Sequence, residues 1–352
     1  MTDHPLRILH VVASDRFAGV EQFVRRLARA QAASGHSVFV AGGAAEHMGA
    51  ALAEAGARYH PASSALQVAR VVRRGMARVD VINSHMTAAD VGAVAGLALG
   101  NARPALVSTR HFAAPRGTIG PTTAYRMLES RIDAEIAVSS TVAAAVGVTA
   151  TVVRPGVGSH ARPNPRTRRR VVLMAQRLQP EKHGDVGLRA FAESRIADDG
   201  WELWIAGDGP DGPSLRATAE TLSCAASVRF LGFRTDIGAL MATSGMFLAT
   251  SPFEHFGLSV LEAMSFALPV VATDAGGHRE TLGGLDQACL YAPGDVSEAA
   301  RSLRMLAADD ERRVSLGNGG HTRQTISFTL QAQVAGTDAV YRRTIATRKA
   351  AS

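Results

Sequence analysis

Short apolar runs along this chain alternate with longer segments in which apolar residues recur every three or four positions. Residues 6–12 form the first run, residues 21–34 form a periodic segment with a polar opposite face, and residues 37–41 form a second run. Runs of this length are typical of buried strands, and the periodic segments are typical of amphipathic helices. The alternation favours an α/β fold built on parallel sheets.

The alternation continues along the chain with one interruption. Residues 160–170 contain two prolines and five arginines, and they are predicted to form an exposed connection between two domains. A last amphipathic helix is predicted at residues 328–343, and residues 348–352 are predicted to form a loose tail. Further strands are predicted at residues 80–85, 105–111, 134–140, 151–156, 171–175, 201–209, 227–233 and 246–250.

Length and composition restrict the class of protein. A chain of 352 residues with 46% apolar and 20% charged residues is typical of two globular domains. No apolar run approaches the roughly 18 residues of a membrane span, and the polar start lacks the apolar core of a signal peptide, so a cytoplasmic location is expected. Cys224 and Cys289 lack the spacing of a disulfide or zinc framework and are expected to be buried, unreactive thiols.

The charge balance is basic, with a net charge of +7 and a pI of about 10.2. This balance favours anionic partners. Lys182 and Lys349 are the only lysines, so nearly all the positive charge is arginine. The basic pairs lack the interleaved aromatic residues typical of nucleic-acid binding, so no nucleic-acid partner is predicted. Weak attraction to an anionic membrane surface is the minority interpretation.

The loop between the strand at 246–250 and a helix predicted at 258–267 carries the clearest chemistry. A helix N-terminus offers unpaired N–H groups and a partial positive charge, and Gly257 lets an anion approach the backbone closely. Glu254 precedes this phosphate cradle and Glu262 follows it. A phosphate ligand with sugar hydroxyls on both sides, a nucleotide sugar, fits this arrangement. The alternative is that both carboxylates are ordinary surface acids.

The spacing Glu254-x7-Glu262, with Phe256-Gly257-Leu258 between and Pro-Val-Val-Ala-Thr-Asp-Ala-Gly-Gly after, resembles the donor-site signature of GT-B glycosyltransferases. The match is to the large retaining family 4, the glycosyl transferases group 1. The resemblance implies that Glu254 meets the donor sugar and that the amides of Phe256, Gly257 and Leu258 hold the diphosphate. It also implies that Glu262 binds the ribose.

The resemblance implies an overall architecture as well. Two Rossmann-like, doubly wound domains are expected to face each other across a cleft. Residues 1–160 would form the acceptor-binding domain, and residues 161–327 would form the nucleotide-sugar-binding domain. The C-terminal helix, within residues 328–352, would cross back to the first domain.

Other positions in the second half match the family. The segment Gln-Arg-Leu-Gln-Pro-Glu-Lys-His-Gly resembles the family's Gly-Arg-Leu-x-x-x-Lys-Gly, and it places Arg177 and Lys182 at the cationic positions. Two fixed cations would stabilise a leaving nucleoside diphosphate without a metal, and the chain has no Asp-x-Asp. The loop of Gly232, Phe233 and Arg234 falls where the family reads the nucleotide base.

The first half also contributes candidates. The family's Gly-Gly-x-Glu turn appears here as Ala-Gly-Val-Glu, so Gly19 and Glu21 are predicted to lie against the donor. His111 ends a predicted strand and falls where the family carries a histidine that faces the donor sugar and the reaction centre. His85 resembles the histidine of the preceding strand, with a weaker case. Carboxyl ends of parallel strands are where such sheets bind ligands.

These observations predict a retaining, metal-independent glycosyltransferase that needs no cofactor beyond its nucleotide-sugar donor. The acceptor would be a small molecule, a glycan or a lipid-linked compound. One alternative is a GT-B sugar-nucleotide epimerase, which would need further acid and base groups in the first domain. Another is a catalytically silent partner protein that binds nucleotide sugar, because Ala18 and Gln176 depart from the family pattern. A dehydrogenase is disfavoured by the missing G-x-G-x-x-G.

Overall fold

The computed structural model describes residues 4–100, 103–116, 127–285 and 290–351. The chain divides into two compact units. The first unit combines Met1–Gly156 with Leu330–Ser352, and the second unit is Val157–Thr329. Each unit contains a wholly parallel sheet connected through helices, which confirms the predicted pair of doubly wound α/β units.

Within its described residues, the first unit has seven parallel strands in the order β3-β2-β1-β4-β5-β6-β7. The strands are β1 Arg7–Val12, β2 Ser37–Ala41, β3 Arg58–His60, β4 Val81–His85, β5 Ala105–Arg110, β6 Ala134–Ala137 and β7 Thr151–Val152. The helices are α1 Gly19–Ala33, α2 Ala45–Ala53, α3 Ala65–Gly75, α4 Thr87–Ala98, α5 Ser140–Ala145 and, from the end of the chain, α13 Leu330–Ala351.

Apolar side chains cover both faces of this first sheet, because successive residues of a strand point to opposite sides. Leu9, Ile82 and Leu106 belong to one cluster, packed with residues of α3 and α4. Ile8, Val81 and Val107 belong to the other, packed with Val340 and Tyr341 of α13. The predicted return of the C-terminal helix to the first domain is therefore confirmed.

The second unit has six parallel strands over the part of Val157–Thr329 that the structure describes, in the order β10-β9-β8-β11-β12-β13. The strands are β8 Arg169–Ala175, β9 Glu202–Ala206, β10 Val228–Gly232, β11 Ser244–Ala249, β12 Val270–Thr273 and β13 Leu290–Tyr291. The helices are α6 Gly184–Ser194, α7 Gly212–Glu220, α8 Ile237–Thr243, α9 Leu258–Ser265, α10 Gly276–Leu282, α11 Val296–Ala308 and α12 Asp310–Ser327.

Both sheets reverse their winding at one point. In the first unit the chain runs outward from β1 to β2 and β3, then returns to place β4 on the other side of β1. In the second unit the same reversal falls between the neighbouring strands β8 and β11. At such a switch point the loops leave adjacent strands in opposite directions and open a crevice at the carboxyl ends, where open α/β sheets bind ligands.

Two predictions about connecting segments need comment. Residues 160–170 are mostly exposed, but half-buried Arg168 donates hydrogen bonds to the carbonyl oxygens of Met241 and Ser244 at 2.9 and 2.8 Å, and to that of Phe266. Burial lowers the pKa of Arg168 to about 10. The prediction of a loose tail at 348–352 is wrong for residues 348–351, and Ser352 lies outside the described residues. Helix α13 continues to Ala351, and the Arg348 guanidinium pairs with the carboxylate of Asp133.

The sequence predictions about cysteines and membranes have partial answers. Cys224 is buried, and burial raises the pKa of its thiol. Cys289 lies outside the described residues. Among the helices of the described residues, none combines the length and the apolar character that crossing a membrane requires.

Candidate functional site

An ion pair marks the switch point of the second sheet. Lys182 lies on the loop after β8 and Glu254 on the loop after β11, and the Lys182 Nζ atom donates a hydrogen bond to Glu254 Oε1. Their side chains are only 17% and 21% exposed. The two residues come together because β8 and β11 are neighbours in the sheet, although 72 positions separate them in sequence.

The electrostatics keep the Glu254 carboxylate ionised. Burial acts to raise the pKa of Glu254, but the attraction and hydrogen bond of the Lys182 ammonium outweigh burial and hold that pKa below its ordinary value. An ammonium group has three donors, and a carboxylate accepts through two oxygens. The pair can therefore accept an anionic, hydroxyl-bearing ligand by exchanging its internal bond for contacts to that ligand.

The backbone that carries Lys182 is tied to the end of β11. Thr250 Oγ1 donates to the Lys182 carbonyl oxygen at 2.7 Å, and the Gln176 side-chain amide lies 3.3 Å from Thr250 Oγ1. His183 then adopts a left-handed conformation, with φ of 47°, and leads into α6. Gln176, which replaces the family's glycine, thus links the loops after β8 and β11.

Glycines allow the starts of α9 and α10 to pack closely against the turn that carries Glu254. Gly257 has φ of 86°, and a Cβ added there would lie 2.7 Å from Cδ2 of buried His278. The Gly277 N–H donates to the Glu254 carbonyl oxygen at 2.7 Å. A Cβ on Gly276 would lie 2.2 Å from the same oxygen. Gly257 is therefore required by backbone conformation and packing, a reason that the sequence did not reveal.

The remaining residues of this signature follow the turn. Phe256 is buried, with its ring 5.9 Å from that of Phe328 between centroids. Leu258 is the first residue of α9, and half-buried Glu262 lies on its second turn. The Arg177 side chain is 59% exposed, and its Nη2 atom lies 3.9 Å from Glu181 Oε1. The structure thus brings Lys182 and Glu254 together, while Arg177 extends towards solvent.

The predicted base loop lies at the carboxyl end of β10. Gly207 donates its N–H to the Gly232 carbonyl oxygen at 2.8 Å, which joins this loop to the loop after β9. Phe233 is 69% exposed, so its ring lies outside the core and offers a stacking face. The Arg234 guanidinium binds both carboxylate oxygens of Asp236, at 2.8 and 2.6 Å.

In the first unit, Gly19 and Glu21 lie at the start of α1. Gly19 is the first helical residue, and an added Cβ would meet no described atom within 4 Å. The buried carboxylate of Glu21 accepts a hydrogen bond from the Ala18 N–H at 2.9 Å. This contact is one half of a capping box, because the alanine side chain cannot return a hydrogen bond, and it gives Glu21 a structural partner within its own helix start.

Three histidines form a buried row beside the switch point of the first sheet. His10 Nδ1 lies 3.1 Å from His85 Nε2, and His85 Nδ1 lies 3.0 Å from His111 Nε2. The Phe23 ring packs edge-on against His111, at 4.8 Å between centroids. Burial lowers the pKa of His10 to about 4, and it lowers the pKa of His85 well below its ordinary value. Sequence reasoning missed His10, although a polar residue inside an apolar strand is a usable signal.

A buried group of charges holds the segment after His111. The Arg116 side chain is fully buried; its Nε donates to Asp90 at 2.7 Å, and its guanidinium also pairs with Glu135. Arg110 Nη1 lies 3.1 Å from the other oxygen of Glu135. We call these four residues the Arg116 cluster. It ties the loop after β5 to α4 and β6, and nothing in the sequence pattern pointed to it.

Metal ligation has no candidate in the described ranges. Over residues 4–100, 103–116, 127–285 and 290–351, no three histidine, cysteine, aspartate or glutamate side chains are grouped to hold an ion.

Two family models match adjacent segments of the chain. The model described as "Glycosyltransferase Family 4" matches residues 17–157, and the model described as "Glycosyl transferases group 1" matches residues 159–323. Together they span both units.

Curated relatives match over shorter stretches. A lipopolysaccharide core biosynthesis glycosyltransferase, LpsE of Rhizobium meliloti, is 27% identical over 146 residues, which are 42% of this chain and 43% of that protein. A D-inositol 3-phosphate glycosyltransferase of Salinispora arenicola is 32% identical over 219 residues, which are 57% of this chain and 49% of that protein. The chain thus spans less than half the length of these curated relatives.

Solved structures match along nearly the whole chain. Anabaena Alr3699/HepE in complex with UDP and glucose superimposes with a TM-score of 0.79 at 21% identity, covering 95% of this chain and 99% of that one. A glycosyltransferase from Rickettsia africae has the same TM-score at 16% identity, with 97% and 99% coverage. At these identities the likeness shows a shared fold.

Proposed function

The chain belongs to the family 4 glycosyltransferases of the GT-B type, and from this premise we propose that it transfers a sugar from a nucleotide-diphosphate sugar to an acceptor hydroxyl. We further propose that transfer retains the configuration of the anomeric carbon and needs no metal ion. The observation that carries the proposal is the Lys182–Glu254 ion pair at the switch point of the second sheet.

The ion pair supports this chemistry because Lys182 suits the leaving diphosphate and Glu254 suits the donor sugar, the two groups that the breaking bond joins. Lys182 turns from Glu254 to the diphosphate and stabilises the charge that develops on the leaving group. The N–H groups at the start of α9 and the guanidinium of Arg177 add to this stabilisation. Glu254, once released, lies beside the donor sugar, where positive charge develops at the ring.

The bond changes balance without a metal. The bond from the anomeric carbon to the leaving phosphate oxygen breaks, and a bond to the acceptor oxygen forms on the same face. The acceptor proton passes to the leaving phosphate. In this proposal Glu262 accepts hydrogen bonds from the ribose hydroxyls, and exposed Phe233 stacks on the base.

A donor panel tests the proposal directly. UDP-sugars come first, because Alr3699/HepE was solved with UDP and with UDP-glucose, followed by GDP-, ADP- and TDP-sugars. Thermal shifts rank nucleotide binding, and release of nucleoside diphosphate in excess EDTA measures turnover. The anomeric proton coupling of the product, compared with that of the donor, reports retention.

Each outcome decides a different part. Turnover that survives EDTA with a retained anomeric centre supports the whole proposal. Binding without transfer or donor hydrolysis across a broad acceptor panel would support the silent partner protein instead. Loss of turnover in EDTA that Mg²⁺ restores would refute the metal-independent donor site.

A further inference from the structure

The three histidines are the middle of a longer hydrogen-bonded row within the first unit. Asp338 of α13 contacts Gln31 of α1, Gln31 contacts His10, and the row continues through His85 to His111. We infer that this row fixes a proton on Nε2 of His111. His10, His85, Gln31 and Asp338 are then positioning residues for His111, and their effect on turnover rests on the proposed function.

The direction of the row is set at Asp338. A carboxylate only accepts hydrogen bonds, so the Gln31 amide must face it with nitrogen, and Gln31 Nε2 lies 2.9 Å from Asp338 Oδ1. His36 occupies the other oxygen, with its Nε2 at 2.7 Å from Asp338 Oδ2. The Leu6 N–H donates to His36 Nδ1 at 2.9 Å, so His36 also presents a donor to the carboxylate.

The orientation of Gln31 then determines the proton on His10. The Gln31 carbonyl oxygen, Oε1, lies 2.8 Å from His10 Nε2, which must carry the hydrogen. His10 is fully buried, and burial keeps the ring neutral by lowering its pKa to about 4. The neutral ring leaves Nδ1 without a proton, so His10 accepts a hydrogen bond there.

The same step repeats twice. His10 Nδ1 accepts from His85 Nε2 at 3.1 Å, and because burial also keeps His85 neutral, His85 Nδ1 is unprotonated. His85 Nδ1 accepts from His111 Nε2 at 3.0 Å. The reverse pattern would turn the Gln31 carbonyl oxygen against the Asp338 carboxylate and place two acceptors face to face. The structure therefore favours a single proton order along the row.

Nitrogen NMR of the imidazole rings tests the proton order without any assay of activity. In protein labelled with ¹⁵N-histidine, we expect His10 and His85 each to show a protonated Nε2 and an unprotonated Nδ1 at neutral pH, and His111 to show a protonated Nε2. Spectra of His10→Gln, His85→Gln and His111→Gln assign the rings. An unprotonated Nε2 at any of the three, or a cationic ring at His10 or His85, would overturn the inference, whether or not the protein proves to be a transferase.

A pair of aspartate variants, one on α13 and one at a residue that pairs with α13, tests the effect of Asp338 on His111. Asp338→Asn keeps one acceptor oxygen, which the His36 Nε2–H group occupies, and turns an NH2 group towards Gln31. Gln31 must then present its carbonyl oxygen to that NH2, so we expect the proton order to reverse and His111 Nε2 to lose its proton. Asp133→Asn is the matched control, because Asp133 pairs with Arg348 of the same helix outside the row. It should leave the three histidine spectra unchanged. An unaltered His111 spectrum in Asp338→Asn would overturn the role of Asp338.

Kinetics separate positioning from general support of the fold. With the donor identified under the proposed function, Asp338→Asn should lower kcat by about tenfold with little change in the donor KM, while Asp133→Asn stays near wild type. His85→Gln keeps a donor and an acceptor and should retain more turnover than His85→Leu. Equal losses in both His85 variants, with matching melting temperatures, would assign the row a structural role only.

Discussion

The two units share a sheet design but keep their polar groups in different places. In the first unit, strand β4 is buried throughout and still carries Asn83, Ser84 and His85. In the second unit, the equivalent strand across the switch point, β11, is equally buried and mostly apolar, and Lys182 and Glu254 lie on the loops beyond the strand ends. The first unit carries polar side chains inside the sheet, and the second carries its charged pair on the loops that follow the strands.

This difference has a physical consequence. A buried polar group must keep its partners, because losing one leaves a desolvated donor or acceptor unpaired. The histidine row and the Arg116 cluster are therefore fixed before any ligand arrives. The Lys182–Glu254 pair is partly exposed and can exchange partners at lower cost. The first unit is expected to present a rigid surface, and the second unit is expected to reorganise around its ligand.

The largest expected effect is in the Arg116 cluster. Arg116→Leu would leave Asp90 and Glu135 buried with fewer partners, and we expect a loss of about 3–5 kcal/mol in the free energy of unfolding. Denaturant unfolding, followed by hydrogen exchange to assign the loss to the first unit, measures it. Arg7→Ala removes an exposed pair with Asp80 and should cost less than about 1 kcal/mol. Similar costs for the two variants would contradict the picture of a fixed interior.

The next largest effect is expected at the Lys182–Glu254 pair. Lys182→Ala should raise the barrier to turnover by about 2–4 kcal/mol, because it removes a charge that stabilises the leaving diphosphate. Stability should change far less than in Arg116→Leu. Arg189→Ala removes a surface arginine of α6 and serves as control. If Lys182→Ala kept near-normal kcat, the proposed donor site would be wrong.

Acid should affect the units unequally. Burial lowers the pKa of His10 and of His278 to about 4 and lowers that of His85 well below its ordinary value, so the unfolded chain binds protons more readily than the folded one. This contribution to stability is complete above pH 6.5 and is lost as the pH falls towards 4, by roughly 2–3 kcal/mol for each of His10 and His278. The first unit, in which His10 and His85 are both fully buried, should lose protection against hydrogen exchange at higher pH than the second, in which buried His278 is joined by the half-buried His255, whose pKa burial also lowers. His278→Asn should flatten the acid response of the second unit only.

The smallest expected effects distinguish the two carboxylates. Glu262→Gln should weaken binding of the donor by about ten- to hundredfold, and the change should appear mostly in KM, because a contact to the ribose is equally strong in the ground and transition states. Glu254→Gln should lower kcat instead. This variant should also bind free nucleoside diphosphate slightly more tightly, because Glu254 competes with the phosphates for Lys182. Calorimetry with the free nucleotide decides this point. Equal losses of nucleotide affinity in both variants would overturn the assignment.

Local sequence patterns predicted most of the elements but few of the contacts. Apolar runs placed β1, β2 and β11 within about two residues, and the spacing singled out Lys182 and Glu254, which lie on loops that meet at the switch point. The patterns could not show that Lys182 touches Glu254, because that contact depends on which strands become neighbours. His10 was missed for the same reason. It meets His85 only because β1 pairs with β4.

Contacts over long separations account for the other differences. The tail was predicted to be loose, yet Arg348 reaches Asp133 across 215 positions. Arg116 joins residues of α4 and β6, and no periodic pattern encodes that choice. Propensity and spacing describe a segment, while buried polar partners are chosen by the tertiary fold.

The discontinuous first unit has a consequence for how the protein is made. The second unit is one continuous segment, Val157–Thr329, whereas the first unit needs α13 from beyond it. On the ribosome, the second unit can finish folding while the first still waits. Until α13 is translated, Gln31 lacks Asp338, and Asn83 lacks the Tyr341 hydroxyl that it contacts at 2.6 Å. The earliest-synthesised half of the protein is therefore the last to be completed, and a nascent chain halted before residue 330 would expose an unfinished polar interior to chaperones.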